Sequence, residues 1–303
     1  MKNKIQIVEM GLRDGLQNEK VHLSTATRFE LFKKICDSGL RRIEVGAFVS
    51  PQWVPQMSPT RELILESYEW LKKNKLEKKI QISALVPNLK GLEMALETPV
   101  KEVAIFASAT ESFAQKNTNC SIAESFERFK PVLALAKKKK IKVRGYLSVC
   151  FGCPFEGAVS EDKVVRLAVD LYKMGIYELS IGDTIGIANV GQVKSLFTKL
   201  KRKIPVTALA GHFHDTRGQA LVNILMAYQM GVRVFDSSVG GLGGCPYAPN
   251  SSGNVATEEV AFMFDGMGVE HKVNTKNILT YSKWLAEQVQ HPLSSRLAKA
   301  DGQ

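Results

Sequence analysis

Short β-branched runs alternate with amphipathic stretches along the whole chain, the pattern of a parallel sheet whose strands are joined by helical crossovers. The runs predict strands at Ile5–Met10, Arg42–Ala47, Ile80–Leu85, Val103–Ala107, Lys142–Val149, Glu178–Ile181, Val206–Phe213 and Val232–Ser237. Between them the apolar spacing predicts helices beginning near Ser24, Thr60, Leu89, Ile122, Glu161, Val190 and Thr216, with two more near Ala256 and Thr275. Eight β/α units in unbroken succession imply an α/β protein whose sheet closes on itself, a (β/α)8 TIM barrel, rather than an open doubly wound sheet. The stretch after Glu270, with Trp284 and Leu285, reads as a C-terminal helical extension packed on the barrel. The expected division is therefore a catalytic barrel over 1–270 and an extension over 271–303, without a linker between them.

A length of 303 residues suits one barrel with small additions. Apolar residues make up 45% and charged residues 23%, and no apolar run is long enough to span a bilayer, so a soluble protein without a membrane partner is expected. The opening Met1-Lys2-Asn3-Lys4-Ile5-Gln6-Ile7-Val8 has neither a signal-peptide apolar region nor a transit-peptide composition, which points to the cytoplasm. Five scattered cysteines (Cys36, Cys120, Cys150, Cys153, Cys245) fit a reducing compartment better than a disulfide framework. The net charge of +11 raises the question of nucleic acid, but the cations are spread along the chain. The densest run, Lys137 to Lys140, ends a helical stretch, where a solvated C-terminus favoured by the helix dipole outweighs a phosphate contact. Small anions, not nucleic acid, are the expected ligands.

A barrel carries its chemistry at the C-terminal ends of its strands. There the sequence places Arg13-Asp14, Glu44, Asn88, Ser108, Cys150, Asp183, His212-Phe213-His214 and Ser237. Residues two apart on a strand face the same side, so His212 and His214 can address one ion, with Asp14 and Asn254 available as oxygen donors. Such a mixed set suits Mg²⁺, Mn²⁺ or Co²⁺, and hydrogen-bonded structural histidines are the competing reading. Arg13 is a permanent cation able to stabilise an enolate oxygen, with Glu44 to fix its direction; a plain Arg–Asp ion pair is the alternative. Gly240-Gly241-Leu242-Gly243-Gly244-Cys245-Pro246 surrounds a thiol with four glycines, which suits either a mobile loop delivering Cys245 as a proton donor or a phosphate cradle. Cys150-Phe151-Gly152-Cys153 has redox spacing but no second pair to complete a zinc site, and reads as loop structure. His22, His271 and His291 read as surface residues.

Several longer segments resemble the 3-hydroxy-3-methylglutaryl-CoA lyases of the DRE-TIM metallolyase superfamily. They are Val8-Glu9-Met10-Gly11-Leu12-Arg13-Asp14-Gly15-Leu16-Gln17-Asn18-Glu19-Lys20, Phe48-Val49-Ser50-Pro51 with Trp53-Val54-Pro55-Gln56-Met57, Gly211 to Thr216, Asp236 to Ala248, and Gly253 to Glu258. The resemblance implies a divalent-metal-dependent retro-Claisen cleavage of an acyl-CoA, with Mg²⁺ or Mn²⁺ held by Asp14, His212, His214 and Asn254. It further implies that Arg13, Asp183 and Cys245 act on substrate, that His212 or Asp183 is the base, and that Glu44 supports them. Lys20, Asn117 and Ser121 would contact the acyl-CoA, and a homodimer is expected. Two departures stand out: Leu12 replaces a proline before Arg13-Asp14, and Gly46-Ala47 replaces a Thr-Ser type pair, the second bearing on the acyl pocket. The superfamily's condensing synthases share the Arg-Asp and His-x-His elements but, as a rule, not the cysteine loop. A noncatalytic basic barrel that grips CoA is a further alternative, set against the full polar complement.

Overall fold

The computed structural model describes residues 4–244 and 253–301. Eight parallel strands close into a barrel in chain order: β1 Gln6–Glu9, β2 Arg42–Ala47, β3 Gln81–Leu85, β4 Glu102–Ser108, β5 Lys142–Ser148, β6 Glu178–Asp183, β7 Leu209–Phe213 and β8 Val234–Ser237. Closure is made by β8 against β1, with Ile7 opposite Phe235 and Val8 opposite Asp236. The crossovers are α1 Thr25–Asp37, α2 Thr60–Lys73, α3 Leu89–Leu96, α4 Glu111–Thr118, α5 Ile122–Lys138, α6 Glu161–Lys173, α7 Val190–Lys201 and α8 Ala220–Gln229. After β8 come α9 Thr257–Gly266, α10 Thr275–Val289 and α11 Arg296–Ala300. No helix among the described residues is long and apolar enough to cross a membrane.

The departures from the predicted elements have local causes. The expected seventh strand loses its start to a 3-10 turn over Val206–Ala208, which follows Pro205. Helix α8 begins at Ala220 rather than near Thr216, because Asp215 turns the chain first. Its carbonyl accepts Gly218 N–H at 2.9 Å with Gly218 at φ +67, and its Oδ1 accepts Ala220 N–H at 2.9 Å. Helix α4 was not anticipated; only eight residues long, it shows too little period to separate from the loop before α5.

The barrel's centre is polar rather than an apolar plug. Arg144 of β5, 1% exposed, donates to Glu178 on β6 at 2.6 Å and to Asp236 on β8 at 2.7 Å, and Ser180 Oγ donates to Asp236 at 2.8 Å. Leu31, Phe32, Phe197, Phe235 and Phe264 are all buried and belong to the one apolar cluster formed by strands and helices. The last helices dock on the barrel: Ser295 N–H donates to Gly240 O at 3.1 Å, Ser294 Oγ to Gly241 O at 3.0 Å, and Arg296 Nη1 to Asp215 Oδ2 at 2.6 Å.

Candidate active site

After β1 the chain makes a single π-helical turn, Gly11–Gly15, closed by Gly15 N–H on Met10 O at 3.0 Å. Gly11 lies so close to Glu9 Oε1 and Val239 that a Cβ there would stand 2.7 Å from the carboxylate, so a side chain at this position would have to displace Glu9. The turn presents Arg13 and Asp14 at the barrel mouth. Arg13 Nε donates to Glu44 Oε1 and Nη1 to Asp14 Oδ1, while Tyr146 Oη donates to the other Glu44 oxygen at 2.9 Å. The remaining terminal nitrogen, Nη2, has no protein partner among the described residues. Burial alone would lower the Arg13 pKa, but the Asp14 and Glu44 carboxylates override it and hold the group fully charged.

His212 and His214, on and just after β7, bring their Nε2 atoms to 3.1 Å from each other. Asp14 Oδ2 lies 3.9 Å from the first and 3.8 Å from the second, so three ligand atoms converge on one point. Behind them Asp236 Oδ2 faces His212 Nδ1 at 3.3 Å, which favours a proton on Nδ1 and leaves the Nε2 lone pair toward Asp14 and His214. Burial would raise Asp236, but Arg144 and His212 hold it below the usual carboxylate range; Asp14 is likewise held well below by Arg13 and the two imidazoles. His214 Nδ1 is buried without a partner among the described residues. An anionic oxygen and two imidazole nitrogens facing one another, one ring with an orphaned second nitrogen, fit a divalent cation between them. Asn254, paired across an isolated bridge with His214, donates through its amide nitrogen to Asp14 Oδ2 at 2.7 Å. It thus stands beside the trio.

Arg13, Asp14, His212 and His214 form the floor of a cavity of about 180 Å³. Its walls are mixed, with Val49, Val54, Leu85, Phe106 and Phe113 apolar and Gln17, Ser148, Ser180 and Thr184 polar, and Asn117 on α4 stands at its edge. Asn18 at the rim donates to Gly244 O at 2.8 Å, which places Gly244 at the cavity mouth. Cys245 lies outside the described residues. A charged floor, an unclaimed guanidinium nitrogen and partly apolar walls suit a small acidic group in which charge develops on oxygen.

Residues 4–285 match the HMGL-like family. The chain belongs to that family. It is 49% identical over 274 residues to hydroxymethylglutaryl-CoA lyase of Pseudomonas mevalonii, covering 90% of this chain and 89% of that one. It is 46% identical over 297 residues to the mitochondrial hydroxymethylglutaryl-CoA lyase of Homo sapiens, covering 98% and 89%. An HMG-CoA lyase structure from Acinetobacter baumannii, in complex with coenzyme A and 3-methylmalate, superposes with a TM-score of 0.92 at 34% identity, covering 98% of this chain and 95% of that one.

Within this HMGL-like chain the remaining predicted residues are placed as follows. Asp183 closes β6 but is 1% exposed and lies behind the cavity, its oxygens accepting Ile187 N–H at 2.9 Å and Ala188 N–H at 3.0 Å. Burial raises its pKa above the usual carboxylate value. Lys20 is exposed outside the cavity lining. Ser121 caps α5, accepting Glu124 N–H at 3.1 Å and donating to its carboxylate at 3.0 Å, a Ser-x-x-Glu capping box. Asn88 caps α3, and Cys150 is buried with its thiol on Leu147 O at 3.0 Å and its pKa pushed up to about 12. His271 is a correction: it is 8% exposed, with Nε2 on Asp265 at 2.9 Å, because the chain after α9 folds back over it. Gly46 faces α2, where a Cβ would collide with Thr60. Tyr146 and Asp236 were not singled out by the sequence, although inward alternation along β5 and β8 points at both.

Proposed function

We propose that this chain is a hydroxymethylglutaryl-CoA lyase, cleaving (S)-3-hydroxy-3-methylglutaryl-CoA to acetyl-CoA and acetoacetate with Mg²⁺ or Mn²⁺. The observation that carries the reading is the convergence of Asp14, His212 and His214 beside the open guanidinium face of Arg13. The relatives' hydroxymethylglutaryl-CoA lyase names support it. Asp14, His212, His214 and the Asn254 amide oxygen would hold the cation, which when bound makes the substrate's tertiary hydroxyl easier to deprotonate.

The hydroxyl proton passes to His212 or Asp183: His212 lines the cavity but, with its Nδ1–H facing Asp236, accepts only through Nε2 when that atom is off the cation, while Asp183 lies behind the lining and would be reached through water. The C2–C3 bond then breaks; its electron pair passes to the thioester, and the hydroxyl carbon becomes the ketone of acetoacetate. Arg13 stabilises the enolate oxygen through its unclaimed nitrogen, held in direction by Glu44 and Tyr146. Cys245 supplies the proton that converts the enolate carbon to the methyl group of acetyl-CoA. Lys20, Asn117 and the segment around Ser121 contact the CoA arm, Ser121 chiefly by fixing the start of α5. The same reading makes the protein a cytoplasmic homodimer with its catalytic barrel over 1–270. The test is incubation with 3-hydroxy-3-methylglutaryl-CoA and Mg²⁺ or Mn²⁺. Acetoacetate and acetyl-CoA in equal amounts are expected, and their absence overturns the assignment.

A further inference from the structure

The opposite, N-terminal end of the barrel holds a hollow of about 1110 Å³ that the lyase reaction does not use. Its lining includes six lysines delivered by three separate connections: Lys72, Lys78 and Lys79 around the end of α2, Lys101 before β4, and Lys140 and Lys142 around the start of β5. All six are exposed, and none makes a side-chain ion pair or hydrogen bond among the described residues; of the six, Lys142 packs a ring, 5.7 Å from the centre of Tyr177. Elsewhere the chain does pair its lysines, as with Lys33 and Lys34 on Glu30, Lys130 on Glu127, and Lys199 on Glu161 and Asp162.

The carboxylates at the floor do not neutralise this ring. Glu178 is consumed by Arg42, at 2.8 and 3.0 Å, and by Arg144 at 2.6 Å. Glu102 is shifted by burial toward its neutral form, and Arg42 lies 3.8 Å from it. Among the described residues the other carboxylates of the lining are Glu69 and Glu77, and neither reaches a lysine within ion-pair distance. Unpaired ammonium groups around a concave wall repel one another and focus a positive potential into the hollow. Lysine is a point-charge partner for phosphate, and cations spread over three connections favour an anion that can reach more than one of them.

We propose that this hollow is a second ligand site, for an anion carrying two or more phosphates. Pyrophosphate and nucleoside polyphosphates are the two sources of that chemistry. A single phosphate meets fewer of the lysines at once and binds less tightly.

The test is calorimetric titration of the full chain, in EDTA and at low salt, with inorganic phosphate, pyrophosphate and ATP in separate runs. One pyrophosphate per chain is expected, bound at least about tenfold tighter than phosphate and weakened as salt rises. The triple variant Lys79→Gln/Lys101→Gln/Lys142→Gln should lose at least about tenfold in affinity, roughly 1.4 kcal/mol. Its arginine counterpart, Lys79→Arg/Lys101→Arg/Lys142→Arg, keeps the charge and should retain binding. Lys194→Gln, on α7 and outside the hollow, should leave the pyrophosphate affinity unchanged. ATP binding tighter than pyrophosphate assigns the site to nucleotides, and equal or weaker binding assigns it to inorganic polyphosphate. Absence of pyrophosphate binding, or affinity unaltered in a folded glutamine triple variant, overturns the proposal.

Discussion

Arg13 and Arg144 are both buried, both flanked by two carboxylates and both in contact with Tyr146, yet one is closed and the other open. Arg144 spends every nitrogen inside the barrel: Nε on Glu178 at 2.6 Å, Nη1 on Tyr146 Oη at 2.7 Å and Nη2 on Asp236 at 2.7 Å. Arg13 spends Nε on Glu44 and Nη1 on Asp14, and keeps its last nitrogen for the cavity it lines. The same residue type thus serves as scaffold where its donors are exhausted and as chemistry where one is left over. The two are joined, because Tyr146 accepts from Arg144 and donates to Glu44, and Asp236 passes from Arg144 to His212.

The largest effect expected from separating them is on Arg144. Arg144→Gln leaves Asp236 and Glu178 buried without their cation and should destabilise the fold by about 3–5 kcal/mol, read by urea unfolding. Arg13→Gln should act on turnover instead, lowering kcat by roughly 10²-fold, about 2.7 kcal/mol, with a smaller change in KM and a smaller loss of stability than Arg144→Gln. Arg13→Lys should restore little of it, since an ammonium cannot reach Glu44, Asp14 and substrate at once. If the two glutamine variants lost stability equally and Arg13→Gln kept its kcat, the contrast between scaffold and chemistry would fail.

A smaller effect concerns Glu9, which ties the two sides of the mouth together. Its Oε1 accepts Gly11 N–H at 2.8 Å, from the turn that carries Arg13, and Val239 N–H at 2.9 Å, from the root of the glycine loop, while Oε2 accepts Thr257 Oγ1 at 2.6 Å. Burial outweighs these hydrogen bonds and raises its pKa from 4.5 to about 7. The folded state therefore holds this proton more tightly than the unfolded chain. Its contribution to stability is full below pH 4.5 and is lost as pH rises through about 7. Glu9→Gln fixes the neutral form, so it should flatten the stability–pH curve over that window by at least about 1 kcal/mol. An unchanged curve in thermal unfolding from pH 5 to pH 8 would show that Glu9 stays ionised.

The barrel was legible because β-branched runs and their spacing specify eight strands whatever the details of their ends; local turns displaced the starts of β7 and α8, β8 begins two residues later than expected, and the short α4 was missed. His212, His214, Asp14, Glu44 and Arg13 were legible for the same reason, since strand ends are countable and chemistry gathers there. Tyr146, Asp236 and Glu9 were not. Each is a polar residue within or at the end of a strand, and its partners come from strands or loops up to 248 residues away, as in the Thr257 bond to Glu9. Ser121 also has a structural role that its Ser-x-x-Glu spacing already spelled, the cap of α5. His271 read as a surface residue because one residue's neighbours in sequence do not reveal that Asp265 and the backbone of Val273 enclose it.

The account rests on one cation at Asp14, His212 and His214 enabling the cleavage, with Arg13 acting on its product charge. The most direct measurement is acetoacetate release from chelator-treated protein as Mn²⁺ is added back in small steps, with bound Mn²⁺ followed in the same samples by electron paramagnetic resonance. Turnover should be absent at the start, rise in proportion to bound metal and level off at one Mn²⁺ per chain, and His214→Ala should abolish both the bound signal and the rise. Full turnover before any metal is added, or metal binding that survives His214→Ala unchanged, would contradict it.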